Sequence, residues 1–372
     1  MSFDDISSVY MVSNVNPAIP GIGGTGLFIL SLWEELRKMG LDVILLGSAT
    51  DRKAQNAFKR IIKPSRSTWL TDLRMSKAAM TNKIPNLAII HAHRPDHLLP
   101  FLINNPGNPS ILTLHGNPKK AFREKNSRIE SFSYSKIENI VIKKVNKVIF
   151  VDHSSRVEYI RTYPWLEGKS TVIPIGIDPK MFYPTGNIKA RKMMGISDDE
   201  KLILMVSRID REKRIDLGIE AFNELRKSYN NTHMIIIGDG PMLDGLKKKN
   251  LHNKKIHFLG GRTRKELNDW YNSADVFLLT SEYEGLPTTV LESLACNTPV
   301  ISTPVGDVHL VIEEGVNGVI LKKDDKYSIM KSLENIILGQ LKGPIKGLNT
   351  SYYYNDIAIK YIGAYREILK EG

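Results

Sequence analysis

The feature that most limits the fold of this chain is a series of short β-branched segments that alternate with amphipathic stretches and then begins again. This alternation is typical of βαβ units, in which helices cover a sheet of parallel strands. In the first half the predicted strands are residues 9–13, 43–46, 87–91, 110–114, 148–151 and 171–173. In the second half they are residues 202–206, 233–237, 256–259, 276–279, 300–302 and 318–321. The predicted fold class is therefore α/β, with two parallel sheets.

The two series are separated by residues 174–184, whose three prolines and one glycine disfavour regular structure. We predict a Rossmann-like domain over residues 1–183, a second over residues 184–351, and a terminal helix over residues 352–372 that returns to the first domain. In open parallel sheets, ligands bind beyond the carboxyl ends of the strands. The site is therefore expected where the two domains face each other across a cleft.

Size and composition exclude several classes of protein. The 372 residues suffice for two domain cores, and the single cysteine, Cys296, excludes an intramolecular disulfide and a cysteine-rich metal cluster. No apolar run approaches the roughly 20 residues that span a bilayer, and the N-terminus shows no signal-peptide pattern. We expect a cytoplasmic protein, not an integral one, that can bind at the inner face of the cell membrane.

Positive charge is concentrated in the first half. The net charge of +12 divides into +10 for residues 1–180 and +2 for residues 181–372. One interpretation is a solvated, lysine-rich surface, and the other is an anionic partner such as a membrane leaflet or a phosphorylated acceptor. Nucleic acid is disfavoured, because the basic residues do not alternate with stacking aromatic residues.

A glycine-rich segment, residues 20–26, precedes a predicted helix over residues 27–39. Glycines let a backbone approach a ligand closely, and a helix N-terminus presents N–H groups and partial positive charge. The segment could hold a phosphate or an acceptor hydroxyl, or it could be an ordinary turn.

In the second half, two loops that follow predicted strands carry charged side chains. Arg208 and Lys213 could neutralise a diphosphate, although a solvated charged loop is the simpler interpretation. Glu284 and Glu292 are separated by seven residues, and a helix from Thr288 would place Glu292 about one turn inside it. One carboxylate could then bind a ribose and the other a sugar, while N–H groups of residues 286–289 point at phosphates.

Taken in order, the motifs of the second half resemble the donor domain of glycosyltransferase family 4, whose retaining enzymes have the GT-B fold. The matching segments are residues 206–208 with Lys213, 237–241, 258–260, 274–277, 281–292 as an E-x7-E motif, 296–301 and 317–318. The first half matches through residues 23–26, 91–93, 114–116 and 173–178. The resemblance covers nearly the whole chain and implies sugar transfer from a nucleotide-diphosphate donor.

The resemblance also implies roles for individual positions. Arg208 and Lys213 would neutralise the donor pyrophosphate, Glu284 would bind sugar hydroxyls, and Glu292 would bind the ribose. His115 would contact the donor sugar, although a core histidine at a strand end is the alternative. The implied catalytic residues are His115, Glu284, Arg208 and Lys213. The implied donor-binding residues are Gly23, Gly24, Gly26, Arg208, Lys213, Asp239, Gly240, Gly260, Arg262, Glu284, Gly285, Leu286, Pro287, Thr288 and Glu292.

Acceptor binding is expected on the first domain. The acceptor-binding residues are predicted to be His93, Lys119, Lys120 and Arg123, although His91 or His93 could instead cap the edge of the sheet. Acceptor specificity is expected in loops at residues 52–83 and 119–128. The acceptor would be a glycan, a glycolipid or another anionic molecule used in surface polysaccharide or glycoconjugate synthesis.

The chain contains no D-x-D pair that could bridge Mg²⁺ and a diphosphate. No metal and no cofactor are therefore expected, and Arg208 and Lys213 would supply the positive charge. The family suggests front-face attack with retention, in which the leaving phosphate takes the acceptor proton. A UDP-sugar is the favoured donor.

The chain departs from the family pattern in three places. Ser207 and Asn297 stand where glycine is common, and His309 with Leu310 replaces a common acid. Two rival functions stay open: a nucleotide-sugar epimerase of the same fold, and a non-catalytic protein that binds nucleotide sugars. The epimerase would release an epimerised sugar nucleotide without transfer. The non-catalytic protein is disfavoured, because the chain retains Arg208, Lys213, Glu284, Glu292 and His115 together.

Overall fold

The computed structural model describes residues 6–16, 24–48, 58–63, 68–116, 128–186, 189–340 and 347–370. The chain divides into two compact units, one formed by Met1–Gly176 with Tyr354–Gly372 and the other by Ile177–Tyr353. The boundaries therefore lie after residues 176 and 353, whereas the sequence places them after residues 183 and 351.

The first unit is built on one parallel sheet. Its strands are Val9–Val12 (β1), Val43–Ser48 (β2), Phe58–Ile62 (β3), Ile89–Ala92 (β4), Ser110–Leu114 (β5), Lys147–Phe150 (β6) and Ser170–Val172 (β7). They lie in the order β3-β2-β1-β4-β5-β6-β7. In register, Val9 of β1 stands opposite Val43 of β2 and Ile89 of β4. The strand order reverses between β1 and β4, so the loops after these two neighbours open at the same edge.

Helices join these strands and cover the sheet. They are Gly24–Lys38 (α1), Thr68–Thr81 (α2), Pro95–Asn104 (α3), Arg128–Lys144 (α4) and His153–Thr162 (α5). In α1, Phe28, Ile29, Leu32 and Leu36 recur at helical spacing, and all four are buried in one core cluster with residues of the sheet. The apolar stripe therefore fixes which face of α1 packs on the strands.

Part of a predicted loop region is regular structure. The expectation of loops over residues 52–83 is wrong for residues 58–62, which form β3, and for residues 68–81, which form α2. β3 is the edge strand of its sheet, and its Lys59 is exposed. Charged side chains are common on edge strands, where they discourage pairing with other chains, and they break the apolar pattern that predicts a strand.

The second unit repeats the architecture. Its strands are Lys201–Val206 (β8), Thr232–Ile237 (β9), Ile256–Gly260 (β10), Val276–Leu279 (β11), Val300–Ser302 (β12) and Gly318–Ile320 (β13). They lie in the order β10-β9-β8-β11-β12-β13, and all pair in parallel. Every strand predicted from the sequence is present in the two sheets. Here β8 and β11 are the neighbours at which the order reverses.

The helices of the second unit differ in how they begin, and some of them have no side-chain cap. They are Lys189–Met193 (α6), Ile215–Leu225 (α7), Leu243–Lys249 (α8), Arg264–Ser273 (α9), Thr288–Ala295 (α10) and Lys326–Ile337 (α11). Thr263 and Glu266 form a capping box that starts α9. Asn297, just after α10, has a φ of 60°, which asparagine tolerates and which explains why glycine is common there.

Short 3₁₀ turns complete the backbone at Pro164–Lys169, Arg211–Lys213, Val308–Leu310 and Thr350–Tyr352. The last helix, Tyr354–Lys370 (α12), belongs to the first unit, and its Tyr361 and Tyr365 are fully buried there. Across the described part of the chain, no helix combines the length and the apolar composition needed to cross a bilayer.

Candidate active site

Two loops of the second unit are tied together beyond the carboxyl ends of β8 and β11. The Thr280 hydroxyl lies 2.7 Å from the carbonyl oxygen of Lys213 and 2.9 Å from that of Arg214. In return, Arg214 donates from Nε to the carbonyl of Thr280 at 2.9 Å. These bonds fix the start of α7 against the end of β11, which is the position where a doubly wound sheet binds its ligand.

The tied loops bring together two of the predicted catalytic side chains. Lys213 Nζ lies 2.6 Å from Glu284 Oε1, and the Ser281 hydroxyl donates to the same oxygen at 2.8 Å. The Lys213 and Glu284 side chains are only 19% and 17% exposed, so water screens this ion pair less than a surface pair. The pair presents one positive and one negative group at the same point.

Arg208 lies on the same loop as Lys213 but extends into solvent. Its side chain is 73% exposed, and its nearest acid is Asp210, at 3.6 Å. No hydrogen bond or ion pair joins Arg208 to Lys213 or Glu284 among the residues that the structure describes. The guanidinium is therefore free to turn toward an anion at the strand end.

The N-terminus of α10 faces the same edge. Its N-cap position is Pro287, which supplies no side-chain cap, so the first N–H groups of the helix lack a side-chain acceptor. The preceding loop is held by a close approach of Gly306, where a Cβ would lie 1.7 Å from the carbonyl oxygen of Gly285. Only glycine fits there. Residues 285–288 therefore form a fixed backbone segment at the start of α10, and the N-terminus of a helix favours anions.

Four further predicted donor-binding residues lie on the loop after β9, at the last position of β10 and on the loop that follows it. Asp239 Oδ2 accepts from the N–H of Gly261 at 2.8 Å, which joins the two loops. A Cβ on Gly240 would lie 2.3 Å from the carbonyl oxygen of Ile209, so this backbone contact requires glycine. Gly260 has a φ of 71°. Arg262 donates to the Gly261 carbonyl at 3.1 Å, and this side chain is about one-third exposed.

Glu292 lies inside the second unit, in the second turn of α10. Its side chain is buried, and Oε2 accepts a hydrogen bond of 2.9 Å from the Tyr271 hydroxyl of α9. Burial raises the pKa of Glu292 to about 7, against the opposing effects of Arg264 and of the Tyr271 hydrogen bond. Near neutral pH this carboxyl group therefore exchanges between its protonated and ionised forms.

The glycine-rich segment of the first unit is partly helical. Gly24 and Gly26 lie in the first turn of α1, which begins at Gly24 and not at residue 27 as predicted. A Cβ on Gly24 would have no neighbour within 4 Å, so packing does not require glycine there. Gly23 lies outside the described residues, as do Lys119, Lys120 and Arg123.

His91 has a structural environment in the first unit. Its Nδ1 lies 2.8 Å from the Tyr365 hydroxyl of α12, and its Nε2 lies 2.9 Å from the Thr113 hydroxyl of β5. Both ring nitrogens are therefore satisfied within the core. Burial lowers the pKa of His91 to about 3, so the ring is neutral.

His93 and His115 form a second pair. His93 Nδ1 lies 3.0 Å from His115 Nε2, and Phe28 packs edge-on against both rings. Burial lowers the pKa of His115 to about 4 and holds that of His93 well below its usual value. When both rings are neutral, one of the two bonded nitrogens donates and the other accepts. Of the two outward nitrogens, those not used in this bond, one is then a donor and the other an acceptor. The outward nitrogens, Nε2 of His93 and Nδ1 of His115, are buried and have no partner in the described structure.

Sequence reasoning missed several residues that hold these groups in place. Ser281 and Tyr271 carry hydroxyls that reach the two glutamates, and Thr113 and Tyr365 do the same for His91. Ser281 stands three residues before Glu284 in the motif and could have been found from it. The tyrosines lie on helices distant in sequence and give no local signal.

Family models and known proteins match most of this chain. The family model described as Glycosyltransferase Family 4 matches residues 22–181, and the one described as Glycosyl transferases group 1 matches residues 187–346. The alpha-monoglucosyldiacylglycerol synthase of Acholeplasma laidlawii is 31% identical over 270 residues, which cover 68% of this chain and 67% of that protein.

The chain belongs to glycosyltransferase family 4. The glycosyltransferase is also 29% identical to the putative teichuronic acid biosynthesis glycosyltransferase TuaC of Bacillus subtilis over 339 residues, 82% of this chain and 81% of that one. Its fold is that of the sucrose-phosphate synthase from Thermosynechococcus elongatus, with a TM-score of 0.79 at 21% identity and coverage of 98% and 99%. The two Rossmann-like parallel-sheet domains of the GT-B fold are thus confirmed.

The raised pKa of Glu292 predicts that this residue destabilises the glycosyltransferase at high pH. When the pKa of a buried acid is higher in the folded state than in the unfolded state, the folded protein loses stability as the acid ionises. For Glu292 this loss falls between about pH 4.5 and about pH 7. We expect Glu292→Gln to raise the melting temperature at pH 8 and to change it much less at pH 5. The stabilisation by Glu292→Gln at pH 8 should exceed that at pH 5 by at most about 3 kcal/mol.

Glu284→Gln is the matched control, because it removes the partner of a half-buried Lys213 and should not stabilise at pH 8. Melting curves of both variants from pH 5 to pH 8 provide the measurement. A Glu292→Gln effect of the same size at both pH values would contradict the prediction.

Proposed function

We propose that this glycosyltransferase moves a hexose-type sugar from a nucleotide-diphosphate donor, UDP-sugar favoured, to a glycan or glycolipid, with retention of configuration and without a metal ion. The observation that carries the proposal is the Lys213–Glu284 ion pair beside the uncapped N-terminus of α10. A sugar diphosphate has an anionic part and a hydroxylated part, and this edge offers groups for both.

The pyrophosphate would lie against the N-terminus of α10, where backbone N–H groups and partial positive charge favour anions. Lys213 has three donors and can contact a phosphate oxygen while it keeps its bond to Glu284. Arg208, exposed in the free protein, would turn inward and form a bidentate contact. Together these two side chains would offset the charge that develops on the departing diphosphate.

In the transfer step, the acceptor hydroxyl would attack the anomeric carbon on the face from which the nucleotide leaves. The bond from that carbon to the phosphate oxygen breaks, and the hydroxyl proton passes to the same phosphate oxygen. Glu284 would hold the sugar hydroxyls, and His115 would bind the sugar through Nδ1, the buried ring nitrogen that has no partner among the described residues. Because His115 is neutral above about pH 4, it would act as a hydrogen-bonding group and not as a charge.

For the acceptor, support comes from the relatives and from the charge of the chain. One relative is named for the synthesis of a glucosyl diacylglycerol and another for teichuronic acid biosynthesis. The excess of +10 over residues 1–180 would suit an anionic acceptor or a cytoplasmic membrane surface that presents it. Lys119, Lys120 and Arg123 remain the proposed contacts.

The reaction is tested first with a panel of UDP-, GDP- and ADP-sugars in thermal-shift and transfer assays. A cognate donor at 100 times its dissociation constant should stabilise the protein by about 2.7 kcal/mol. Transfer should continue in EDTA, and NMR of the product should show the donor's anomeric configuration. Loss of activity in EDTA that Mg²⁺ restores would contradict metal independence. Free epimerised sugar nucleotide without transfer would favour the epimerase.

Replacing Arg208 or Lys213 with alanine should weaken nucleoside-diphosphate binding and slow transfer, because each removes a positive charge from the pyrophosphate. We expect each loss to be about 2 kcal/mol, typical of a hydrogen bond to a charged group. Arg211→Ala is the control, since Arg211 is an exposed cation of the same loop. Calorimetry gives the affinities. Unchanged affinity in both test variants, or an equal loss in the control, would refute the pyrophosphate assignment.

His115→Ala should lower kcat strongly but leave nucleoside-diphosphate affinity nearly intact, because its proposed partner is the sugar. The expected cost to the transition state is on the order of 3 kcal/mol. The same substitution at exposed His153 should have no effect. Steady-state kinetics and calorimetry separate the two quantities. Parallel loss of binding and turnover, or loss of folded protein, would identify His115 as a core residue.

A further inference from the structure

The contact between Tyr271 and Glu292 is unusual for a protein core. Tyr271 is fully buried, and its ring packs edge-on against Phe182 and Phe277 at centroid distances of 5.9 and 5.7 Å. Its hydroxyl donates to Glu292 Oε2 at 2.9 Å. A phenylalanine would fill the same space without bringing a hydroxyl into an apolar cluster, so packing alone does not account for the tyrosine.

The glutamate is equally costly in this position. A carboxylate buried among apolar side chains loses its hydration, and burial is the largest of the influences that raise the pKa of Glu292 to about 7. The charged or titratable groups that face it are Arg264 and Tyr271 from α9 and Cys296 at the end of α10. Arg264 and the Tyr271 hydroxyl favour the ionised form. Burial raises the pKa of the Cys296 thiol to about 12, so this neighbour is neutral.

The two carboxylate oxygens of Glu292 have different environments. Oε2 is occupied by Tyr271, whereas Oε1 receives no hydrogen bond from any residue that the structure describes. Although Oε1 has no partner among these residues, it is not sealed from solvent. One oxygen is therefore held from inside the protein, and the other is left for an external donor.

We infer that the Tyr271 hydroxyl is a positioning group for Glu292, which holds the carboxylate so that Oε1 accepts from the donor ribose. The inference rests on the proposed transfer from a nucleotide-diphosphate sugar and on the ribose-binding role that the family resemblance implies for Glu292. It assigns the nucleoside affinity to the Tyr271–Glu292 pair and not to the glutamate alone. The ionised carboxylate is the better acceptor for ribose hydroxyls, so affinity should follow its ionisation.

The wild-type protein should therefore bind a sugar nucleotide more tightly as the pH rises through 7. For an acid with a pKa of about 7, the ionised fraction falls about tenfold between pH 8 and pH 6, and the dissociation constant should rise by about the same factor. UDP-glucose is the first probe, because its diphosphate does not titrate in this range. If the thermal-shift panel shows that the protein binds a GDP- or ADP-sugar instead, that sugar nucleotide is used as the probe.

Tyr271→Phe keeps the ring and removes the hydroxyl. We expect it to raise the dissociation constant for UDP-glucose at pH 7 about tenfold and to move the midpoint of the pH profile up by about one unit. Tyr229→Phe is the matched control, since Tyr229 donates to Glu334 at the same distance of 2.9 Å elsewhere in the unit. That variant should bind like the wild type at every pH.

The dependence of binding on the ribose hydroxyls separates a failure of the inference from a failure of the proposed function. The wild type should prefer UDP-glucose over its 2′,3′-dideoxyuridine counterpart, and Tyr271→Phe should lose most of that preference. A wild type with no such preference would refute the ribose role of Glu292 itself. A preference and a pH midpoint that survive unchanged in Tyr271→Phe would overturn the positioning role while leaving the proposed function intact.

A second measurement covers the case in which Tyr271→Phe does not fold. Incorporation of 3-fluorotyrosine makes the phenol more acidic without changing the packing, so it should donate a stronger hydrogen bond to Glu292. The pH midpoint for UDP-glucose binding should then move to lower pH. An unchanged midpoint in the fluorinated protein would also overturn the inference.

Discussion

The bonds between the loops after β8 and β11 are the constraint on which the candidate site depends. Parallel pairing brings both loops to one edge of the sheet, but it does not fix their conformations. The contacts of Thr280 with the Lys213 and Arg214 carbonyls do so. Arg214 has a φ of 44°, an uncommon conformation for a non-glycine residue, and the surrounding bonds maintain it. Without this bracing, Lys213 would be a solvated lysine on a surface loop and not the partner of Glu284.

The sequence predicts the sheets well because a buried parallel strand is a continuous apolar run, such as residues 202–206 or 233–237. It fails at residues 58–62, where an edge strand mixes charged and apolar side chains. The charged residues of the donor loops are also recognisable, since an E-x7-E pattern across a strand–loop–helix junction places one glutamate on the loop and the other about one turn inside the helix. Tyr271 and Tyr365 could not be predicted, because their hydroxyls find their partners only through packing between distant helices.

Each of the two units contains groups that a stable core would exclude. Glu292 and Tyr271 place a carboxyl and a hydroxyl in an apolar interior, and His93 and His115 leave two buried ring nitrogens without partners. Each of these groups costs free energy in the absence of a ligand. Such costs persist where a ligand can supply the missing hydrogen bonds, and the surrounding cores of Phe, Ile and Leu offset them.

The placement of α12 affects the order in which the chain can fold during synthesis. Residues 177–353 form a contiguous unit and can pack as soon as they leave the ribosome. The first unit has to wait, although most of it is translated earlier, because Tyr361 and Tyr365 of α12 complete its core and the Tyr365 hydroxyl pairs with His91. Until then α1 and the sheet expose the apolar surface that α12 will cover. The nascent N-terminal half is therefore the form of this protein that most needs a chaperone. A mutation in α12, near the C-terminus, would destabilise the N-terminal domain first.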